Sequence, residues 1–350
     1  MTTTLPDEPP RSLRLRLDRA ALAQNWRTLD ALSGKASAGA AVKADGYGLG
    51  AETVVQTLYE AGARHFFLAH WSEVSPLLPH IGAGSLSVLH GVGNAEEATF
   101  AMATGAIPVI NSLRQAAIWN EAGGGQCHLM IDSGINRLGI AASEVGDPVI
   151  QTLQIDTVMS HLACADEDSE RNARQLAIFH EASIGVNAKY RSFANSAGIA
   201  LGPDYHFDLT RPGIALYGGV PHAELAERIE QVAYPQAAVI QIRELSPGDS
   251  VGYNAKWTAE APTRVATLSI GYADGFLRAM GEGAHVLHDG QELPIIGRVS
   301  MDMIVVDTGE SDLAEGDFVD LPFDLPEIAR RTGLSQYEVL TAIGNRFSRI

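Results

Sequence analysis

From the N-terminal region to about Gly219, short apolar runs recur along the chain: "AGAAVKA", "RHFFLAH", "LSVLHG", "AIPVI", "CHLMID", "IDTVMSHL", "YRSFANS" and "HFDLTRPG". Most are bounded by glycine, proline or polar residues, which marks buried strands. Between most of them lie stretches with apolar positions three and four apart, such as "AETVVQTLYEAG" and "SERNARQLAIFHEA", and these predict helices. A further helical pattern, "LDRAALAQNWRTLDAL", precedes the first run. Strands alternating with helices imply parallel pairing, and eight of them imply closure into a (β/α)8 barrel.

The pattern changes after Pro221. "YPQAAVIQIREL", "TRVATLSIGYA", "GAHVLHDG", "LPIIGRVSMDMIVVD" and "GDFVDL" are strand-like and are separated by turn pairs such as Pro247-Gly248 and Asp289-Gly290. The last segment, Glu327 to Gly344, has a helical pattern. The expected organisation is α/β: a flexible tail over 1–11, an N-terminal (β/α)8 barrel over 12–225 that binds a cofactor, and a C-terminal mostly-β domain over 226–350 with a terminal helix.

Composition narrows the function classes. The chain has 350 residues, 46% of them hydrophobic, and a formal net charge of -17. So acidic a chain is a poor partner for nucleic acid, whose phosphates need patches of lysine and arginine. Cys127 and Cys164 lie in apolar surroundings and are expected to pack as small hydrophobes. Two cysteines make no disulfide framework, and nothing near them spells a metal site. The "HVLH" histidines, His285 and His288, fall on opposite faces of a strand. The opening "MTTTLPDEPPRS" lacks the apolar core of a signal peptide, and no apolar run is long enough to span a bilayer. A cytoplasmic protein without membrane or nucleic-acid partners is the expectation.

In a barrel of this kind, chemistry sits where strands end and loops begin. The first strand ends at Lys43, with Tyr47 just beyond. The fifth runs into "DSGINRLG", which places Arg137 in a loop. The sixth ends at His161, the seventh at Asn195-Ser196, and the eighth at Arg211, followed by "PGIALYGG". Each residue alone has an ordinary structural explanation; their convergence on one rim is what points to a site. A lysine desolvated near other cations is pushed toward its neutral, nucleophilic form, which condenses with carbonyls. Backbone N–H groups at "RPGI" and the hydroxyls of Ser196 and Tyr47 suit a phosphate. A carbonyl compound with a phosphate handle describes pyridoxal phosphate; a sugar phosphate fits the same residues.

In order along the chain, "AVKADGYGLG", "DSGINRLG", "MSHLACAD", "FANSAG", "RPGIALYG", "SIGYADGF" and "GRVSMDM" resemble the motif series of the alanine racemases. These are barrel-type pyridoxal-phosphate enzymes that interconvert L- and D-alanine, for peptidoglycan or for alanine breakdown. The resemblance runs from about Leu13 to the C-terminus. It implies that Lys43 holds the cofactor and serves as the base on the D-alanine side, with Tyr272 as the base for L-alanine. It also implies a homodimer in which Tyr272 and Met301 enter the partner's site. Arg137 and Met301 would position the substrate carboxylate. Tyr47, Asn195, Ser196, Gly213, Ile214 and Tyr253 would surround the phosphate or the entrance. Arg211 would face the pyridine nitrogen, and His161 would link Arg211 to Tyr272.

Two positions depart from the family pattern. Many members carry a lysine, often carbamylated, two residues before the aspartate of the "D-S/T-G" motif, where this chain has Met130. Many also place a tyrosine near the C-terminus, where "AIGNRFSRI" offers Asn345. The alternatives are a racemase of broader specificity, for example toward serine, a decarboxylase of the same fold, or a non-catalytic pyridoxal-phosphate carrier. Such carriers lack the second β domain. The decarboxylases place a cysteine in it, whereas both cysteines here fall in the barrel.

Overall fold

The computed structural model describes residues 9–350. The expected flexible tail falls mostly on residues 1–8, which lie outside the described residues. The chain divides into two compact units: Arg19–Val232, and the segment ending at Asp18 together with Ala233–Ile350.

All eight expected strands form in the first unit. They are Ser37–Ala38 with Ala40–Ala41, then Phe66–Leu68, Leu86–Val88, Ile107–Ile110, Gln126–Asp132, Gln154–Met159, Tyr190–Ser192 and Leu209–Thr210. Pairing between neighbours is parallel. The eighth strand closes the ring. Gly39 N donates to Thr210 O at 2.9 Å on one side, and Arg211 N donates to Ala194 O at 2.8 Å on the other. The first strand breaks at Gly39, where a Cβ would lie 2.9 Å from both His65 O and the Phe67 ring.

Side-chain alternation sorts the barrel into layers. Cys127, Leu129 and Ile131 of the fifth strand pack outward with Trp119, Val158, Phe179 and Phe193. The intervening His128 and Met130 are also buried, which places them on the opposite, inner face. Cys127 is fully covered, and burial pushes its thiol up to about 12, so it behaves as the expected inert hydrophobe.

The second unit is built on antiparallel pairing. Six strands, Thr263–Leu268, Ile304–Asp307, Gln291–Ile296, His285–His288, Phe318–Asp320 and Ala233–Leu245, run in that order, and the last also pairs with the first. One strand can reach both neighbours because Ala233–Leu245 is 13 residues long and shifts register between Val239 and Gln241. Such a bulge bends a strand and increases its twist.

Three sequence expectations need correction. Residues 12–18 do not belong to the barrel: Leu13–Leu17 pairs antiparallel with Ala233–Leu245 and parallel with Ser348–Arg349. The physical reason is the alternation in "LRLRL". Leu13 and Leu15 are buried, while Arg14 and Arg16 lie over the rings of Phe318 and Tyr234 at 3.5 and 3.9 Å. The other boundary falls at Val232/Ala233 rather than 225/226. The terminal helix is two helices, Leu325–Thr332 and Gln336–Thr341. Gly333 ends the first at φ 73°, and Ser335 with Glu338 caps the second.

Leu15 is fully buried in this sheet. Leu15→Ala should therefore lower stability by about 2–5 kcal/mol, read as a fall in the urea unfolding midpoint. A change within the scatter of a surface substitution would contradict the placement of this strand.

Candidate active site

The rim residue Lys43 opens an unusual turn. Ala44, Asp45 and Gly46 have φ near +55 to +62° and ψ near +43 to +50°, and Tyr47 follows at φ 58°. Four consecutive residues thus wind left-handed, although three of them carry a Cβ. Each such residue costs roughly 1–2 kcal/mol against the right-handed form, so outside contacts must hold the turn. Asp45 Oδ1 accepts from Ala51 N at 2.8 Å, and Glu73 Oε1 accepts from Ala44 N at 2.5 Å. Lys43 itself is half-buried. Burial first, and then the Arg137 charge, lower its pKa, while Glu73 works in the opposite direction.

Arg137 stands exposed on the loop after the fifth strand. Asp132 builds that loop, accepting at one oxygen from the N–H groups of Gly134, Ile135 and Asn136 at 2.8, 3.0 and 3.1 Å. Gly139 closes the loop against the strand, where a Cβ would lie 2.6 Å from Asp132 N and 3.1 Å from Met130. Met130 is buried and apolar, so it offers no charge with which to brace Arg137.

Arg211 is buried. Its guanidinium donates to Ser192 Oγ at 2.5 Å and to the Ser160 carbonyl. Burial lowers its pKa to about 10, which leaves it cationic at neutral pH. Half-buried His161 is pushed down to about 3 by desolvation and then by Arg211, Arg137 and Lys43. At neutral pH its imidazole is therefore uncharged. The Ser160 and Ser133 hydroxyls, 2.7 Å apart, continue the polar floor.

A second group of residues forms a cradle at the seventh and eighth strand ends. Ser196 Oγ accepts from Gly213 N at 2.8 Å and from Ala215 N at 3.3 Å, so its own proton is available to an outside acceptor. A Cβ on Gly213 would sit 2.3 Å from the Tyr47 hydroxyl; glycine is required for the two to meet. The Tyr47 ring stacks on Tyr217 at 4.6 Å, and Ile214 opens a short 3-10 turn beside them. Asn195 has a different job: its side chain accepts from Gly198 N at 2.8 Å and caps the helix Ser196–Ala200.

Tyr272 and Met301 belong to the second unit, on adjoining loops. Tyr272 N donates to Ser300 O at 3.1 Å and Ala273 N to Met301 O at 3.0 Å. Arg346 ties the two loops together. It forms an ion pair with buried Asp274 at 2.6 Å and a hydrogen bond to Asp302 at 2.8 Å, and Asp274 also accepts from Gly271 N at 3.0 Å. The Arg278 guanidinium lies 5.1 Å above the Tyr272 ring. Met301 and Tyr253 are exposed, at 54% and 69%, which is high for large apolar side chains. The Asn345 carbonyl accepts from Arg11 at 2.8 Å.

The family model "Alanine racemase, N-terminal domain" matches residues 17–221, and "Alanine racemase, C-terminal domain" matches 232–350. The chain belongs to the alanine racemase family. It is therefore related to isomerases over nearly its whole length. Two relatives from Agrobacterium fabrum are similar in sequence. A catabolic alanine racemase is 41% identical, over 96% of this chain and 91% of that one. A biosynthetic alanine racemase is 40% identical, over 96% and 93%. Among solved structures, the alanine racemase from Bartonella henselae with covalently bound pyridoxal phosphate superposes with a TM-score of 0.89 at 34% identity, covering 97% of this chain and 99% of that one. The family match over 232–350 includes the domain that a non-catalytic carrier would lack.

Within the barrel, the structure brings Lys43, Tyr47, His161, Ser196, Arg211, Gly213 and Ile214 to one end, with Arg137 close enough for its charge to act on Lys43 and His161. Sequence reading missed the roles of Glu73 and Arg346, whose charged side chains act on distant loops, so no local pattern marks them. Asp132 and Asp274 lie inside quoted motifs, but no role was assigned to either.

The lowered pKa of His161 has a measurable consequence. Between pH 6.5 and about 3 the unfolded chain takes up a proton that the folded site refuses. Stability therefore falls as the pH drops through that window and is unaffected by this group above it. His161→Gln should flatten the fall; His128, also lowered to about 3, keeps part of it. A folded-state titration of His161 near 6.5 by NMR would contradict this.

Proposed function

We propose that this chain racemises alanine with pyridoxal phosphate as cofactor, using Lys43 and Tyr272 as bases on the two sides of the substrate. The residues present fit that cofactor. Lys43 is a lysine with depressed basicity, suited to an aldehyde. Ser196 with a free proton, the side-chain-less Gly213 and the turn at Ile214 form a cradle for a phosphate. Buried Arg211 supplies a fixed cation for a ring nitrogen and cannot release its proton to it. When bound, pyridoxal phosphate supplies an aldehyde for amines and a conjugated ring that delocalises the electron pair left by a departing α-proton.

The chain's own groups then have separate tasks. An α-carbon that has lost its proton is flat, and a single base returns the proton to the face it came from. Inversion therefore needs two proton carriers on opposite faces. Neutral Lys43 Nζ takes or returns the proton on one side, and the Tyr272 hydroxyl oxygen does so on the other. Arg137 pairs with the substrate carboxylate. Neutral His161, under the Arg211 cation, passes polarity toward Tyr272 without adding a full charge of its own. We infer a homodimer in which Tyr272 and Met301 serve the partner's barrel; the open surfaces of Met301 and Tyr253 support that reading.

The observation that carries this proposal is a single lysine of depressed basicity at the barrel rim, next to a cationic and polar cradle built for an anion. Lys43→Ala should remove both the visible absorbance of the attached cofactor and the turnover. Tyr272→Phe should slow deuterium exchange at L-alanine by roughly 10²–10⁴-fold while leaving cofactor attachment intact. Exchange at D-alanine should suffer less. A twofold loss, or equal losses for both enantiomers, would count against two separate bases.

A further inference from the structure

Glu73 follows the second barrel strand, in the 3-10 turn Trp71–Glu73, and belongs to none of the motifs that mark the site. Both of its carboxylate oxygens are used. Oε2 accepts from the N–H groups of its own loop, Ala69 at 2.7 Å and His70 at 2.9 Å. Oε1 reaches across to the preceding loop and accepts from Ala44 N at 2.5 Å. Ala44 is the residue after Lys43 and the first of the four left-handed residues, at φ 55°. A carboxylate is acceptor-only at both oxygens and so can take N–H donors from two sides. An amide of the same shape cannot, because its NH2 end would face a donor.

We propose that Glu73 is a positioning residue of this enzyme: its carboxylate clamps the left-handed turn that fixes the direction of Lys43 at the barrel rim. The proposal rests on Lys43 being the lysine that takes the cofactor. A turn of this hand is uphill for alanine, aspartate and tyrosine. Without the clamp, residues 44–47 relax toward the ordinary wells and the Lys43 backbone turns with them. Proximity has a second effect. The carboxylate favours the ammonium form of Lys43, against burial and Arg137, with His70 and His90 also near this group of charges. Position and charge therefore pull in opposite directions, and a substitution separates them.

The test uses the full chain stripped of cofactor, with pyridoxal phosphate as the probe and the visible absorbance of the lysine-attached form as the readout. Glu73→Gln should slow attachment by roughly ten- to a hundredfold, the scale of a misplaced reacting group. The pH at which Lys43 becomes reactive should fall, because the acid favouring its charged form is gone. The slowing should persist at high pH, where charge no longer limits the reaction. Ala44→Gly placed on top of Glu73→Gln should recover most of the lost rate, since glycine holds a positive φ unaided. Glu73→Asp keeps the charge but is one methylene too short to serve both loops, and it should show the same loss if Glu73→Gln folds poorly. Attachment within twofold of the parent in both single variants, slowing that disappears at high pH, or no recovery with Ala44→Gly would each overturn the clamp. Lys43→Ala is the control for the underlying reading: absorbance that survives it removes Lys43 as the attachment point, whatever Glu73 does.

Discussion

Burial at one end of this barrel, reinforced by the repulsion among the basic side chains crowded there, governs the chemistry available. Arg211 holds its charge because a guanidinium is delocalised and because Ser192 and Ser160 accept from it. Lys43 and His161 have no comparable support and are driven toward their neutral forms. Like charges close together in a poorly solvated place raise each other's cost steeply. The residue that yields is the one whose proton is held least firmly. The same arrangement leaves a fixed positive field for an anionic ligand, although the chain as a whole carries a net charge of -17. The local site and the global charge are decoupled, as short-range electrostatics in salt requires.

Much of the architecture was legible in the sequence because it rests on local periodicity. Each of the eight barrel strands coincides with an apolar run, and each site residue in the barrel falls at or just beyond a strand end. The strand Leu13–Leu17 was readable too: its leucines and arginines alternate at the period of a half-buried strand. Its neighbours along the chain place it with the barrel, whereas its pairing partner lies more than 200 residues on and carries it into the other unit. The split at Gly333 has a local signal as well, a glycine followed two residues later by a capping serine.

What could not be read has a common cause. Glu73 is bound to Ala44, 29 positions away, and Arg346 is bound to Asp274 and Asp302, 72 and 44 positions away. These are charged side chains that act between loops, and nothing in their immediate sequence reports the distant partner. Met130 is the converse case. The departure from the family pattern was visible at once, and the structure adds that an apolar side chain fills the space.

The two units differ in how their chain is threaded, and that difference bears on synthesis. The barrel is one uninterrupted stretch, so it can close as soon as its eighth strand has emerged. The antiparallel unit cannot. Leu13–Leu17, made before the barrel, is flanked by Ala233–Leu245 and by Ser348–Arg349, and Leu15 O accepts from Ile350 N at 3.0 Å. During translation that early strand waits with two unpaired edges while the whole barrel is made and folded beside it. Its arginines, alternating with the leucines, are the feature that discourages such a waiting edge from pairing with other nascent chains.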